Sequence, residues 1–560
     1  MHDEEERPAF RPEFEGLIGS TFGNEPNDKA NGKRMSDLYG KVFRYVEEQA
    51  SWYVWSGKHW RRSKGVEIRA AAHDMSSYME EIEIFCYEPE DAPPFPNDWN
   101  VISSGGTPYK ALLGKNGALN KAPVDVMSWA SVSAARAEFI GERLSSEQGK
   151  GLYQDSLDWI EQSKGSGRID AAIKEARVRA EFKAKTSDFD TVRTTFVVQN
   201  GQFNTKTRRF TPVHRAEDLN TRVCEVVYDP NAHAPLWNAY MEKNQPNRKT
   251  RRYIQKLMGY SLSGDSNQKL IAFLFSQVGD TGKSLFLAVM DALFGTGYAV
   301  NLATDTLSPR KSGAGGRDPD RHAIRGKRLI TASELEAGAA MDESFVKAYT
   351  GGDVQSTRSN FETENTRWQP EGLMVVASNH LMKVTFEDSA IWGRIRIIPW
   401  KVSFPPGHPD RDEELAQKII NSELSGVLNW VLEGLRLYRE EGLVSPTEVA
   451  LAMDEYRKES DSVEKFLNES FAEGSIEALD FGYCRPTDLY KMARKWGQDC
   501  GIAIPTNIRD FNKRLQAMKF RYAPLPASHP HKKREGVGNS RKIQGIHIPD
   551  AAKIRFKLSD

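Results

Sequence analysis

Between Leu270 and Phe294 the chain reads Leu-Ile-Ala-Phe-Leu-Phe-Ser-Gln-Val-Gly-Asp-Thr-Gly-Lys-Ser and then continues as an amphipathic helical pattern. No other stretch restricts the fold as much. Six successive apolar residues predict a strand buried on both faces, as in parallel sheets covered by helices. Gly279 and Gly282 leave the backbone free to aim its N–H groups inward, and the helix after them adds the positive end of its dipole. Strand, glycine loop and helix in this order make a cradle for phosphate oxygens, a P-loop. The nucleotide-binding set is then Gln277, Val278, Gly279, Asp280, Thr281, Gly282, Lys283, Ser284 and Leu285. Lys283 is expected to reach the β- and γ-phosphates of ATP, and the Ser284 hydroxyl to ligate Mg2+. The strict pattern has glycine where Gln277 stands. A chance Gly-Lys-Ser in an ordinary loop would not account for the strand and helix around it.

Such a loop needs an acid on a neighbouring strand to complete the metal site. Arg328-Leu-Ile-Thr-Ala-Ser-Glu334-Leu-Glu336 is an apolar strand ending in acids. Glu334 is the first choice for holding Mg2+ through water and polarising the attacking water, and Glu336 the second. The next apolar strand ends at Asn379-His380, and an amide at that tip can orient the lytic water. The other reading of Asn379 is a turn-forming strand terminator. Arg394 and Arg396 then flank Ile395. One of them, Arg394 before Arg396, suits a finger lent to a neighbouring subunit's γ-phosphate. The alternative is a pair of surface arginines on an edge strand.

Composition bounds the rest. The chain has 560 residues, enough for three or four domains. Its apolar runs fall far short of the roughly 18 residues of a membrane span. The first residues, Met-His-Asp-Glu-Glu-Glu-Arg-Pro, are acidic where a secretory signal is basic and then apolar. A cytoplasmic protein with no membrane partner is expected. Cys86, Cys224, Cys484 and Cys500 are widely spaced, which argues against a disulfide scaffold or structural zinc. Lys plus Arg and Asp plus Glu both total 77, so the net charge is zero. The sum hides a division: from Cys484 onward there are 17 Lys and Arg against 6 Asp and Glu, a balance of +11, and the preceding residues carry −11.

Along the chain, residues 1–33 read as a mobile leader and 34–215 as an N-terminal α+β and helical domain. Residues 216–262 read as a helical collar, 263–405 as the α/β core with a parallel sheet between helices, and 406–460 as a helical linker or lid. Residues 461–560 show three helical patterns and then two strand-like runs on a basic background, the order of a winged helix that binds DNA. Its contact candidates are Lys491, Arg494, Lys495, Lys513, Arg514, Lys532, Lys533 and Arg534. A solvated basic face, or a docking surface for another protein, is the alternative.

Taken together, QVGDTGKS, GKRLITASELE, FVKAYTGGDVQSTR, VVASNH and IWGRIRIIPW resemble the superfamily 3 helicase domain of phage, plasmid and poxvirus primase–helicases. The resemblance extends upstream through DLNTRVCEVVYDPNAHAPLW and IQKLMGYSLSGD, and downstream through SDSVEKFLNESF and DLYKMARKWGQDCGI. It implies an AAA+ ATPase core and a homo-hexameric ring that translocates on single-stranded DNA, usually 3′ to 5′, and unwinds forks. Lys283, Ser284, Glu334, Asn379 and Arg394 match that family's loop, acid, sensor and finger. The segment from Lys347 to Arg358 matches its channel hairpin, with Arg358, Phe361, Arg367 and Trp368 as further DNA contacts. Glu362 and Glu364 depart from it, since carboxylates repel phosphates. The closely spaced metal-binding acids of a primase are not evident: Glu80-Glu81-Ile82-Glu83 and His73 read as helix. A separate chain is the expected source of any primase or polymerase. Three functions compete: a replicative helicase of a phage or mobile element in its host's cytoplasm, an origin-melting initiator, and an AAA+ switch that remodels proteins.

Overall fold

The computed structural model describes residues 27–79, 158–309, 319–357, 366–384, 388–500, 502, 504–523 and 541–558, with two further short strands at Ile102–Ser104 and Thr107–Lys110. Glu80, Glu81, Glu83, Arg358, Phe361, Glu362, Glu364, Lys532, Lys533, Arg534 and most of the leader lie outside the described residues. Two compact units are distinguished, one running to Val227 and one starting at Tyr228.

The first unit begins earlier than the leader drawn to residue 33 allows. Helix α1 spans Asp28–Tyr39, and the Asn27 side chain caps it by accepting from Ala30 N at 2.8 Å. Asn31 donates to Ser163 at 3.0 Å, and Met35 and Tyr39 are buried. Asn27 and Asn31, which read as part of a loose leader, are a cap and an internal hydrogen bond. Strands β1 (Phe43–Val46), β2 (Ser51–Trp55) and β3 (Trp60–Ser63) lead to helix α2 (Val66–Tyr78). After β4 (Ile102–Ser104) and β5 (Thr107–Lys110) come α3 (Ser166–Arg177) and β6 (Lys183–Ala184). The sheet order is β3-β2-β1-β6, and its core joins Met35, Phe43, Trp52, Ile68, Ile169 and Phe182. An antiparallel meander follows: β7 (Thr195–Val198), β8 (Gly201–Asn204) and β9 (Arg209–Thr211).

In the second unit, helices α4 (Pro235–Asn244) and α5 (Arg248–Ser263) precede a parallel sheet. Apart from a 3-10 turn at Ala216–Asp218, the α-helices of the 216–262 segment start at Pro235, where proline suits a first helical turn. The sheet and its connections comprise β10 (Ile271–Phe275), α6 (Lys283–Tyr298), β11 (Ala299–Leu302), α7 (Pro319–Ala323), β12 (Leu329–Ser333) and α8 (Glu343–Gly351). The short hairpin β13 (Gln355–Thr357) and β14 (Thr366–Trp368) comes next, then β15 (Leu373–Ser378), α9 (Ser389–Trp392) and β16 (Ile395–Pro399). The order β11-β12-β15-β10-β16 is parallel throughout. Its central strands are buried on both faces, which is why they are written as apolar runs.

Helices α10 (Leu415–Ser422), α11 (Leu424–Glu441) and α12 (Thr447–Glu459) follow. Glu423 ties them to α4, accepting from the backbone N–H groups of Leu236 and Trp237 at 2.9 Å each. Helices α5 and α11 cross at two glycines: a Cβ on Gly259 would lie 2.0 Å from Leu435 N, and one on Gly434 would lie 2.0 Å from Gln255 O. The backbones themselves are in contact there.

The C-terminal part is α13 (Ser462–Ala472), β17 (Glu477–Cys484), α14 (Pro486–Cys500), α15 (Ile508–Ala517), β18 (Arg521–Ala523), β19 (Lys542–His547) and α16 (Asp550–Arg555). The sheet order is β17-β19-β18, antiparallel, around Phe466, Leu489, Met492, Phe511 and Ile543. This sheet has three strands, whereas the sequence reading found two strand-like runs. Strand β17 was hidden because its register shifts between Ala478 and Tyr483, so no clean alternation marks it. Among the described residues no helix is long and apolar enough to cross a membrane.

Candidate functional site

Parallel strands deliver their loops to one edge of the sheet, and part of the set singled out from the sequence meets there. Gly279 to Leu285, Glu334 and Asn379 line one cleft of about 1190 Å3, with α4 and residues 404–416 forming the opposite wall. One expectation changes. Strand β12, which carries Glu334 at its end, is not the neighbour of β10; β15 lies between them and brings Asn379 into the middle.

Gly282 sits at the N-terminus of α6 with φ 81, a left-handed conformation that glycine adopts freely. A Cβ there would come within 2.5 Å of Asn244 Oδ1. Lys283 is 8% exposed, and its Nζ donates to Thr281 Oγ1 at 2.9 Å and to Asn379 Oδ1 at 2.8 Å. Burial holds this ammonium below the usual lysine range. Both partners are neutral, so the described residues leave a buried cation without an anion. Ser284 and Glu334 are exposed at the cleft. Glu334 has φ 64, unusual for a non-glycine, and its N–H donates to Ala377 O at 3.1 Å. That bond fixes the strand end from which the carboxylate projects. Glu336 is exposed and is not among the cleft-lining residues. Gln277 and Val278 are exposed on the loop before Gly279.

Deeper in, Asp291 on α6 accepts from Thr331 Oγ1, with both carboxylate oxygens 3.0 Å from it. Burial raises this carboxyl to about 6, partly offset by the Thr331 hydroxyl.

No local pattern marks the other wall. Tyr240 OH donates to Gly282 O at 2.8 Å, and buried Asn244 Oδ1 has no partner among the described residues. Phe404 N donates to Asp280 O at 2.8 Å, and Arg411 pairs with Asp280 at 2.9 Å. Asp410 pairs with Lys243. Residues 404–411 thus strap across the glycine loop through contacts more than a hundred positions apart, which no local pattern reveals.

Arg394 and Arg396 stand away from this cleft, at the β16 edge. They do not project as a pair: Arg394 precedes the strand, donating to Thr350 Oγ1 at 2.9 Å and Ala390 O at 2.7 Å. Arg396 turns back to Gly393 O and Ile395 O. Lys347 pairs with Asp388 at 2.6 Å, and Trp368 is buried, donating to Thr357 Oγ1 at 2.8 Å. Arg367 is exposed on β14. Lys491, Arg494 and Lys495 share an exposed face of α14, and Lys495 also meets Asp499 at 2.8 Å. Lys513 is exposed on α15. Its neighbour Arg514 points inward, its Nε 2.6 Å from Asp461, whose carboxylate is 1% exposed and caps α13.

Fold and site together define a parallel α/β protein with a lysine, a hydroxyl, an amide and a carboxylate converging at the carboxyl ends of its strands. Comparison with known proteins carries this further. A family profile described as D5 N terminal like matches residues 32–246. "Putative helicase L207/L206" of Acanthamoeba polyphaga mimivirus is 24% identical over half of this chain and 30% of its own length. "Putative helicase 022R" of Frog virus 3 (isolate Goorha) is 24% identical over 45% of this chain and 26% of its own. The chain therefore spans about a third or less of these curated relatives. The apo structure of the NrS-1 C-terminal region aligns with 57% of this chain and 77% of its own, at 13% identity and a TM-score of 0.37. The chain thus carries a D5 N terminal like segment and is similar, over about half its length, to viral proteins named as helicases.

Proposed function

We propose that this chain is an ATP-driven DNA helicase of a replication system, working as a ring of identical subunits, with an AAA+ core whose nucleotide loop is Gln277–Leu285. The observation that carries the reading is Lys283: a buried ammonium held, among the described residues, by Thr281 and Asn379 alone, beside a glycine loop and a cleft of about 1190 Å3. A buried charge without a counter-charge is costly, and a triphosphate supplies one. Asn244 Oδ1, buried and unpartnered, offers an acceptor for a donor on the same ligand.

In this reading Lys283 and the loop N–H groups hold the β- and γ-phosphates. Ser284, and Glu334 through water, would hold Mg2+, which would offset phosphate charge. Glu334 orients and polarises the attacking water, and Asn379 holds its position between Lys283 and that water. Arg394, at the sheet edge, belongs to the next subunit's site. The C-terminal helices and sheet form a winged helix that holds DNA, with translocation running 3′ to 5′.

Strand displacement from forks with a 3′ or a 5′ tail, beside Lys283→Ala, tests the reading. ATP-dependent displacement from the 3′-tailed fork is expected. DNA-stimulated hydrolysis without displacement on either fork would replace it with the initiator, and hydrolysis indifferent to DNA would replace it with a protein-remodelling switch.

A further inference from the structure

The residues before Cys484 carry a net −11, yet 191–215 contain Arg193, Lys206, Arg208, Arg209 and Arg215 and no Asp or Glu. These residues form the β7-β8-β9 meander, and three of the cations sit at the β8–β9 turn and the first residue of β9. Lys206, Arg208 and Arg209 are exposed, and among the described residues none of them pairs with a carboxylate.

The turn is fixed before anything binds. Asn204 Oδ1 accepts from the backbone N–H groups of Lys206 at 3.1 Å and Thr207 at 2.9 Å, while Asn204 O accepts from Arg208 N at 2.7 Å. Arg208 takes φ 61, a left-handed position that lets the chain reverse tightly. Thr205 anchors the turn to the first strand's side, its N and Oγ1 both donating to Thr194 O, at 2.7 and 3.1 Å. Behind it, Phe203 packs on Phe210 with ring centroids 5.0 Å apart. A turn built for packing alone has no use for three unpaired cations side by side, because their mutual repulsion works against folding. A ligand with closely spaced negative charges turns that repulsion into attraction.

We infer that the β8–β9 turn of the first unit is a nucleic-acid contact, with Lys206, Arg208 and Arg209 gripping the phosphodiester backbone without regard to sequence. The inference rests on the reading that this protein acts on nucleic acid, and adds a site outside both the channel hairpin and the C-terminal region. A preset turn loses little entropy on binding, and exposed Lys and Arg contact phosphates by releasing condensed counterions.

Anisotropy of a labelled oligothymidine, titrated with the full chain over a range of salt, tests it against the triple variant Lys206→Gln, Arg208→Gln, Arg209→Gln. Three lost phosphate contacts should flatten the slope of log affinity against log salt by about 2 on a single strand. A slope and affinity equal to wild type would overturn the inference while leaving the helicase reading intact. Wild-type protein that binds no nucleic acid would overturn both. If the triple variant melts earlier, Arg208→Gly with Lys206→Gln removes two charges and keeps the left-handed turn accessible, and the slope should then flatten by about 1.4. A variant that keeps the DNA slope but no longer binds poly-glutamate would assign the turn to an acidic protein and overturn the proposal.

Discussion

The cleft and the C-terminal region both present cations, yet they place them in opposite ways. In the cleft one ammonium, that of Lys283, is buried and fixed by two short hydrogen bonds. In the C-terminal region Lys491, Arg494, Lys495 and Lys513 stand in solvent on two helices. A buried charge acts at one point in a low-dielectric setting, where its worth is large. Exposed charges act as a sum, each worth little and screened by salt. Single substitutions should therefore be decisive in the first region and incremental in the second.

The contrast can be broken most directly at Lys283. Lys283→Ala should lower ATP hydrolysis at least about a hundredfold while leaving DNA affinity close to wild type. A similar loss of both, in steady-state kinetics and anisotropy, would mean that the two regions are not separable. The next effect lies inside the C-terminal region. Arg514→Ala leaves the Asp461 carboxylate buried and unpaired and should cost about 3 kcal/mol, read by chemical denaturation. Its neighbour Lys513→Ala should cost almost no stability and weaken DNA binding only.

A third test concerns the back of the cleft. Burial raises the Asp291 carboxyl to about 6, so the folded state binds a proton more readily than the unfolded chain. Stability from this group is greatest below about pH 4 and declines as pH rises through 6. Asp291→Asn removes that decline: the variant should be about 2 kcal/mol more stable than wild type near pH 8 and equal to it near pH 4. Denaturation at both pH values reads the difference. The smallest expected effect belongs to Lys491, Arg494 and Lys495 taken singly. Each alanine variant should reduce the salt slope of DNA binding by about 0.7 to 0.9, and the three effects should add.

How far the sequence could be read follows the same divide. The strand–loop–helix at Leu270–Phe294 was legible because a fully buried parallel strand must be apolar throughout and a loop tight against Asn244 must use glycine. Strand ends at Glu334 and Asn379 were legible for the same reason: polar residues stop apolar runs. Their lateral order was not, since nothing local tells a chain that β15 inserts between β12 and β10. Nor were Arg411 with Asp280 or Lys243 with Asp410, pairs that exist only once distant segments are folded together. Arg514 shows the limit in the other direction. By its charge alone it counts among the DNA candidates, yet its partner Asp461 caps α13, two helices earlier.

The crossing of α5 and α11 has a mechanical consequence. With Gly259 and Gly434 in backbone contact, neither helix can slide without a carbonyl striking its neighbour. The joint behaves as a rivet and not as a bearing. Glu423 fastens the start of α11 to α4, whose Tyr240 holds the glycine loop through Gly282. Force applied to α11 is thus delivered to the loop with little slack. Across the cleft the strap is looser around Gly407, which has φ 85 and open space where a Cβ would stand.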